Sequence, residues 1–359
     1  MAAPRSFCAG VEMAIKALAW LVKLNPPPVY CYHEIVHNRL VVERFERAGV
    51  VFVQSLDEVP EGATLMLSAH GSAPEVVTEA LARGGVMVDS VCPLVTKVHH
   101  EVKLRVGKGY AVIYAGHAGH DEAVATMAVA PAAVHLVQHE DDVAALGDLG
   151  ESVAFLAQTT LSVDEWQGVL AASRERYANL WTPGRTDLCF ATTNRQAALR
   201  LIAERVDTVV VVGSPNSSNA NALVAVARRS AWAHGALDVV RIDLADELPP
   251  GLTGVVGVTA GASTPEDVVQ AVIARLDPVD GVSVVEAVDE DEYFPPPPGL
   301  RALMRTRGLE ELLEGDRLVA ASAVLEALPS SRAEASGRWC DTSSVRTQRR
   351  CIAPPGVAS

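Results

Sequence analysis

The chain has 359 residues, of which 49% are apolar, and it carries a formal net charge of −14 at pH 7. The apolar share excludes a disordered protein, and the length leaves room for two or three domains. The acidic balance argues against a nucleic-acid-binding face and against adsorption to an anionic membrane, although a local cluster of donors can still bind an anionic ligand.

The first helical pattern, residues 8–24, is apolar enough to be compared with a signal peptide. Glu12 and Lys16 interrupt it, and no basic segment with a cleavage site surrounds it. No uninterrupted apolar stretch reaches the roughly 20 residues that a membrane span needs. We therefore expect a cytoplasmic protein without a membrane segment.

Strand-like and helical patterns then alternate along the chain. Apolar runs typical of buried strands lie at 50–53, 64–69, 110–116, 153–158, 207–214 and 254–261. Amphipathic helical patterns lie at 38–48, 162–175, 190–204 and 217–230. The alternation predicts an α/β fold with mostly parallel sheets, in which ligands bind where the strands end.

Three cysteines mark a coarse repeat in this pattern. Cys8, Cys92 and Cys189 recur at similar spacing, and each stands at the start of a helical pattern. The repeat predicts three similar α/β domains. We place them at 9–92, 93–186 and 187–280 (the last joined by 1–8), followed by a C-terminal extension, 281–359, that is partly helical and then mobile.

Three thiolates from three domains suit an iron–sulfur cluster in which one iron has no protein ligand. A cluster held only by cysteine for electron transfer needs four ligands. With three, one iron stays open to a substrate oxygen, as a catalytic zinc keeps an open position. The alternative is that these thiols are buried and structural, as we expect for Cys31 in its apolar run. The shared position at helix starts favours the cluster.

Histidines form a second group of candidates. His33, His70, His117 and His120 follow strand-like runs, where imidazoles from separate loops can form an anion pocket. Each can instead satisfy the carbonyls of its own turn. Glu122, which follows His120, is either a general acid or an ordinary carboxylate of a first helical turn.

Polar segments that follow strands and open helices point to a phosphorylated ligand. They are "AQTTLS" (157–162), "SPNSSNAN" (214–221) and "TAGASTPED" (259–267). Hydroxyls, amides and free backbone N–H groups at helix starts bind phosphate, although Ser and Asn also cap helices routinely. The sequence contains neither a P-loop nor a strand-turn G-x-G-x-x-G, so nucleotide binding is not supported.

Nine short motifs occur together in one order: PRSFCAGVEMAI, HEIVHN, SAHG, CPLVTKVH, GHAGHDE, QTTLSVDE, CFATTNRQ, NSSN and TAGAS. The set resembles the 4-hydroxy-3-methylbut-2-enyl diphosphate reductase (LytB) family over residues 4–295. The resemblance implies three α/β domains around a central [4Fe-4S] cluster, one per chain, with one iron not bound by protein.

The same resemblance implies an activity. It is the reductive removal of a hydroxyl from an allylic diphosphate, which yields isopentenyl and dimethylallyl diphosphate in the last step of the methylerythritol phosphate route. The electrons would come from a donor such as ferredoxin or flavodoxin.

The resemblance also assigns roles to individual residues. Cys8, Cys92 and Cys189 would hold the cluster, and the polar run after Cys189 would support it. Glu122, with Thr159 and His120, would deliver protons to the leaving hydroxyl. The diphosphate would be bound by His33, His70, His120, Thr159, Ser217, Ser218, Asn219 and Ser263.

The chain departs from the family pattern at several positions. Ser6 replaces the usual Gly, Val91 a Thr, Phe190 a Tyr, Ala222 an Arg, and "ATMA" (125–128) a glycine-flanked "GTMG". Only "MAA" precedes Pro4 where the family has a first strand. We therefore expect either a misassigned start or a sheet that lacks one strand.

Other functions stay open. A hydro-lyase that uses the open iron as a Lewis acid on a related phosphorylated substrate would need no electron donor. A specialised or inactive paralogue, or an oxygen or iron sensor, is a further possibility. A sensor needs no proton delivery, so the presence of both Glu122 and Thr159 argues against it.

Overall fold

The computed structural model describes residues 1–234, 237–329 and 331. Its strands are β1 (Ala2–Ala3), β2 (Val29–Tyr32), β3 (Val50–Val53), β4 (Leu65–Leu67), β5 (Met87–Asp89), β6 (Ala111–Ala115), β7 (Val134–Val137), β8 (Val153–Ala157), β9 (Thr208–Val212), β10 (Asp238–Ile242), β11 (Val256–Ala260) and β12 (Val285–Glu286). Its helices are α1 (Ala9–Leu24), α2 (Arg39–Arg47), α3 (Pro74–Ala82), α4 (Pro93–Gly107), α5 (Asp121–Ala128), α6 (Glu140–Ala145), α7 (Val163–Arg176), α8 (Phe190–Ala203), α9 (Ser218–His234), α10 (Glu266–Leu276), α11 (Pro298–Thr306), α12 (Glu311–Glu314) and α13 (Ala321–Glu326).

The sheets of the described chain are all parallel. Their strand orders are β3-β2-β4-β5, β7-β6-β8, β10-β9-β11 and the two-stranded β1-β12. The predicted α/β fold is thereby confirmed. Strands β8 (VAFLA) and β9 (TVVVV) are buried along their whole length, as expected for parallel strands covered on both faces.

The observed elements agree with the predicted ones except at their ends. Each of the six predicted strand ranges contains one observed strand, and the four helical ranges correspond to α2, α7, α8 and α9. Local capping explains two of the helix starts. The Asn38 side chain accepts from the Val41 N–H at 3.1 Å, and Ser162 forms a capping box with Glu165.

The chain divides into two compact units. Unit 1 comprises Met1–Cys8, His70–Pro74 and Cys92–Glu292, and unit 2 comprises Ala9–Ala69, Glu75–Val91 and the described residues from Tyr293 onward. Each of the three larger sheets falls within one of the three predicted domains. The domain boundaries themselves stay a prediction.

In unit 1, the β7-β6-β8 sheet is covered on both faces. Ile113 and Phe155 belong to one apolar cluster with residues of α7, whereas Tyr114 and Leu156 belong to another with residues of α4. A third cluster joins β9 to α8 and α9 and includes Ala2 of β1. A short strand, β1, is thus present before Pro4 and pairs with β12. The expectation that a sheet lacks this strand is not met.

In unit 2, the β3-β2-β4-β5 sheet carries its own apolar cluster, and Cys31 of β2 is fully buried, as expected. The predicted helical part of the C-terminal extension is present as α11, α12 and α13. The predicted mobile part falls mostly on 330 and 332–359, outside the described residues. None of the helices described has the length and apolar character needed to cross a bilayer.

Candidate active site

The three cysteines that the sequence singles out all lie in unit 1, each directly before a helix. Cys8 precedes α1, Cys92 is the N-cap of α4, and Cys189 is the N-cap of α8. All three are partly buried and none forms a disulfide. The geometry thus presents three thiols at helix N-termini.

The thiols lie close enough to influence one another electrostatically. Burial, followed by the charge of Cys8, raises the pKa of the Cys189 thiol to about 12, against the hydrogen bonds from Thr192. Burial, with repulsion from Cys8 and Cys189, also raises the pKa of the Cys92 thiol. A cation bound among the three sulfur atoms would offset both effects.

A chain of hydrogen bonds connects two of these cysteines. The Thr192 hydroxyl lies 3.0 Å from Cys189 Sγ and accepts from Asn219 Nδ2 at 3.3 Å. The Asn219 carbonyl oxygen accepts from the Ala262 N–H at 2.9 Å, and the Ala262 carbonyl accepts from the Cys8 N–H at 3.2 Å. The backbone N–H of Thr192 also donates to Cys189 Sγ, at 3.2 Å, so Thr192 contacts this sulfur through two polar groups.

Glu122 is buried, with only 2% of its surface exposed, and both of its oxygens are held by Thr159. Oε1 accepts from the Thr159 N–H at 2.7 Å, and Oε2 lies 2.9 Å from the Thr159 hydroxyl. Burial raises the pKa of Glu122 to about 7, with a further contribution from the nearby Asp187 carboxylate, while the hydrogen bonds from Thr159 oppose the shift. Glu122 can therefore hold a proton near neutral pH.

Hydrogen bonds from backbone N–H groups connect the Glu122–Thr159 pair to Cys189 and to His120. The Thr159 carbonyl accepts from the Cys189 N–H at 3.0 Å. His120, the N-cap of α5, accepts from the Glu122 N–H at its Nδ1, which places the ring hydrogen of the neutral form on Nε2. His70 lies beside His120, with ring centroids 6.0 Å apart, and its Nδ1 is 3.8 Å from Asp121.

Four of the predicted diphosphate ligands of unit 1 lie at two turns. Ser217, Ser218 and Asn219 lie at the start of α9, and Ser263 follows β11; all four are buried. Polar groups at the N-terminus of a long helix provide donors for an anion. His33 belongs to unit 2, where it follows β2 with a left-handed φ of 58°. Its role, like the other predicted roles, stays a prediction.

Ser218 is also part of a polar network that the sequence did not assign. Gln158 Nε2 donates to the Ser218 hydroxyl at 3.1 Å and to the Thr160 hydroxyl at 2.8 Å. The two hydroxyls lie 2.9 Å apart, and His117 Nδ1 lies 3.4 Å from Ser218 Oγ. The sequence indicated His117 only as one of several histidines that follow strand-like runs, and assigned it no partner.

Arg195 is a second residue for which the sequence predicted no individual role beyond its place in the polar run after Cys189. It is fully buried, and its guanidinium donates to the carbonyls of Ser6 at 2.7 Å and Phe7 at 3.3 Å. It also donates to the Glu290 carboxylate at 3.0 Å. Arg195 thus fixes the backbone that leads into Cys8.

The chain is similar to known proteins over most of its length. A family model described as LytB protein matches residues 1–277. The 4-hydroxy-3-methylbut-2-enyl diphosphate reductase of Chromobacterium violaceum is 47% identical over 309 residues, covering 84% of this chain and 98% of its own length. That of Rhodopirellula baltica is 46% identical, covering 84% of this chain and 95% of its own length. The solved E-1-hydroxy-2-methyl-but-2-enyl-4-diphosphate reductase from Plasmodium falciparum matches with a TM-score of 0.80 at 31% identity, over 85% of this chain and 97% of that chain.

Proposed function

Since the chain belongs to the LytB protein family, we propose that it is a 4-hydroxy-3-methylbut-2-enyl diphosphate reductase. The reaction replaces the allylic hydroxyl of its substrate by hydrogen, giving isopentenyl and dimethylallyl diphosphate. It consumes two electrons and two protons and releases water. Ferredoxin or flavodoxin is the class of electron donor that we expect.

The observation that carries this proposal is the placement of Glu122. A buried carboxyl with a pKa of about 7 shares both oxygens with Thr159, which is itself bonded to the backbone of Cys189. This arrangement puts a proton donor next to the cysteine set, where a hydroxyl that leaves as water needs one. A purely structural cluster or a sensor gains nothing from it.

The cysteines fit a [4Fe-4S] cluster with one iron free of protein ligands. Cys8, Cys92 and Cys189 would hold it, since they offer three thiols within electrostatic reach of one another at helix N-termini. When bound, the cluster supplies the two electrons and a coordination position for a substrate oxygen. The backbone N–H of Thr192 donates to the sulfur of Cys189 at 3.2 Å and so favours its thiolate.

The remaining residues of the site bind and orient the substrate. Ser217, Ser218, Asn219 and Ser263 place hydroxyl and amide donors around the start of α9, and His70 and His120 add imidazoles. These donors bind the diphosphate, which fixes the allylic end relative to Glu122 and Thr159. Thr159 passes the proton from the Glu122 carboxyl to the leaving hydroxyl of the substrate, because its own hydroxyl is hydrogen-bonded to Glu122 Oε2.

The test is anaerobic turnover of 4-hydroxy-3-methylbut-2-enyl diphosphate by reconstituted full-length protein, with a reduced viologen dye and product identification. Dye oxidation together with both isopentenyl and dimethylallyl diphosphate establishes the reductase. Loss of water without dye oxidation would establish a hydro-lyase instead. No turnover despite a full cluster would indicate a specialised or inactive paralogue.

The Glu122→Gln variant assigns the acid within that assay. The amide keeps a hydrogen-bonding shape beside Thr159 but cannot transfer a proton. We expect an unchanged cluster absorption spectrum and a fall in kcat of about 100-fold or more, the usual contribution of a positioned acid. Turnover that survives in Glu122→Gln would show that another group delivers the proton.

A further inference from the structure

His117 lies between two groups of the candidate site and has no role in the proposed reaction. Its Nδ1 is 3.4 Å from Ser218 Oγ, and its Nε2 is 3.7 Å from Glu165 Oε1. The side chain is 35% exposed, so the ring can exchange protons with solvent. His117 thus joins a solvent-accessible ion pair to a buried hydroxyl that we place on the diphosphate.

The amide of Gln158 restricts what Ser218 can do. Gln158 Oε1 accepts from the backbone N–H of His117 at 2.9 Å. This bond fixes the orientation of the Gln158 amide, so its hydrogens lie on the side of Nε2. Gln158 Nε2 then donates to Ser218 and to Thr160. A hydroxyl has one hydrogen to donate, so Ser218 can bond a phosphate oxygen only if no neighbour takes that hydrogen.

The protonation state of His117 determines whether a neighbour takes it. In the neutral tautomer that carries its hydrogen on Nε2, the nitrogen that faces the Glu165 carboxylate, Nδ1 is unprotonated and can accept the Ser218 hydrogen. The imidazolium carries a hydrogen on both nitrogens and cannot accept. Protonation therefore releases the Ser218 hydrogen and adds a positive charge beside the hydroxyl that meets the anion.

We propose that His117 takes up a proton when a diphosphate binds, and that this proton switches Ser218 from donating to His117 to donating to phosphate. The inference rests on the proposed function, because it takes the start of α9 as the diphosphate site. His117 is then a positioning residue that couples substrate affinity to pH.

The group that faces Nε2 of His117 is the Glu165 carboxylate, 3.7 Å away. Burial opposes ionisation of Glu165, but hydrogen bonds from His117 and Ser162 lower the pKa of Glu165 to about 2, so it stays anionic where histidine titrates. Asp164, its neighbour on α7, is already paired with Arg200 of α8 at 2.9 Å and Arg229 of α9 at 3.0 Å.

Other titratable groups occur on the elements next to the His117 turn. The N-cap and first turn of α5 carry His120, Asp121 and Glu122. The start of α6 carries His139, Glu140, Asp141 and Asp142. The side chain of Gln138, just before α6, accepts from the Ala118 N–H of the His117 turn. Asp142 is held by the backbone N–H groups of Gln138 and His139. Within the part of the chain that the structure describes, the carboxylate paired with His117 is that of Glu165.

The experiment is titration calorimetry of the reconstituted full-length protein with inorganic pyrophosphate. Two buffers of different ionisation heat at pH 7.5 report the protons taken up, and titrations from pH 6 to 8.5 report the affinity. We expect net proton uptake on binding. We also expect Kd to rise with pH by up to about tenfold per unit, the limit for one linked proton.

Two variants and a control complete the design. His117→Gln should bind with less proton uptake and a flatter pH profile, whereas His100→Gln, at an exposed position of α4, should behave as the parent does. Ser218→Ala should bind more weakly and also lose most of the pH dependence, because it removes the hydroxyl that the proton acts on.

Several outcomes overturn the inference. They are no pyrophosphate binding, no proton uptake by the parent, an unchanged pH profile in His117→Gln, or a full pH profile in Ser218→Ala. Pyrophosphate binding needs no electrons, so these results are independent of turnover. Failure of the reductase assay with proton-coupled binding intact would refute the proposed reaction and leave the coupling standing.

Discussion

Glu122 and Asp187 are buried carboxyls whose pKa values both rise to about 7. Burial is the largest cause for each, and the charge of Asp187 adds to the shift at Glu122. Asp187 also accepts from the Ala157 N–H at 3.1 Å, so it is held in place beside β8. The negative charge of Asp187 disfavours ionisation of Glu122, which helps to keep a proton on Glu122 near neutral pH.

A pH profile tests this at the residue scale. Glu122 is a proton donor only in its protonated form, so we expect kcat to fall as pH rises through about 7. Asp187→Asn removes a negative charge that raises the pKa of Glu122, so the descending limb should move to lower pH. An Asp187→Asn profile that coincides with the parent profile would show that Asp187 does not tune the acid.

Ser6 shows how a tertiary contact accommodates a residue that its backbone disfavours. Its φ of 59° lies in the left-handed region, which favours glycine. That conformation costs a non-glycine residue about 1–2 kcal/mol. The Ser6 hydroxyl donates to Glu266 Oε2 at 2.6 Å, and a hydrogen bond to a charged group contributes about 1.5–3 kcal/mol. The bond is large enough to offset the strain.

At the element scale, α8 carries two arginines in contrasting settings. Arg195 is fully buried and bonds Glu290 and the carbonyls before Cys8, whereas Arg200 is 42% exposed and pairs with Asp164. The desolvated guanidinium is costly to leave without partners, and the exposed pair is screened by water. The same helix therefore offers a matched comparison.

We expect Arg195→Ala to destabilise the protein by about 3–5 kcal/mol, because it leaves Glu290 without its buried partner. Arg200→Ala should cost about 1 kcal/mol or less. Arg195→Lys keeps the charge but loses the planar fork, so its loss should lie between the two. Thermal midpoints and cluster retention after gel filtration provide the measurement. Equal losses for the two alanine variants would contradict this account.

At the scale of the whole molecule, the C-terminal helices are part of the core of unit 2. Leu300 and Met304 of α11 and Ala321 and Leu325 of α13 are buried, and α13 packs against α1. The Ala321 N–H also donates to Glu12 at 3.2 Å. These helices lie beyond residue 277, where the family match ends.

Two truncations test that role. Removal of 298–359 takes away all of these buried side chains, at about 2–5 kcal/mol for each large one, and should leave an insoluble or unfolded product. Removal of 332–359 takes away none of them and should leave the thermal midpoint and turnover close to those of the full chain. Loss of stability or turnover in the shorter truncation would assign the final residues a function.

The local features of this protein are determined by its sequence. Burial of parallel strands requires apolar runs such as β8 and β9, and helix starts require caps such as Asn38, so both are visible in single segments. The placement of Cys8, Cys92 and Cys189 at helix starts is visible for the same reason. Their assignment as ligands, and that of His33 and the other substrate residues, stays a prediction.

Only the tertiary structure decided the interactions between distant segments. His117 meets Ser218 and Glu165, Arg195 meets Glu290, and Glu122 meets Thr159 across separations that no local pattern encodes. The pKa of Glu122 depends on burial and on the charge of Asp187, a residue far from it in the sequence. Periodicity and capping depend on neighbours in the chain, whereas electrostatic environment depends on neighbours in space.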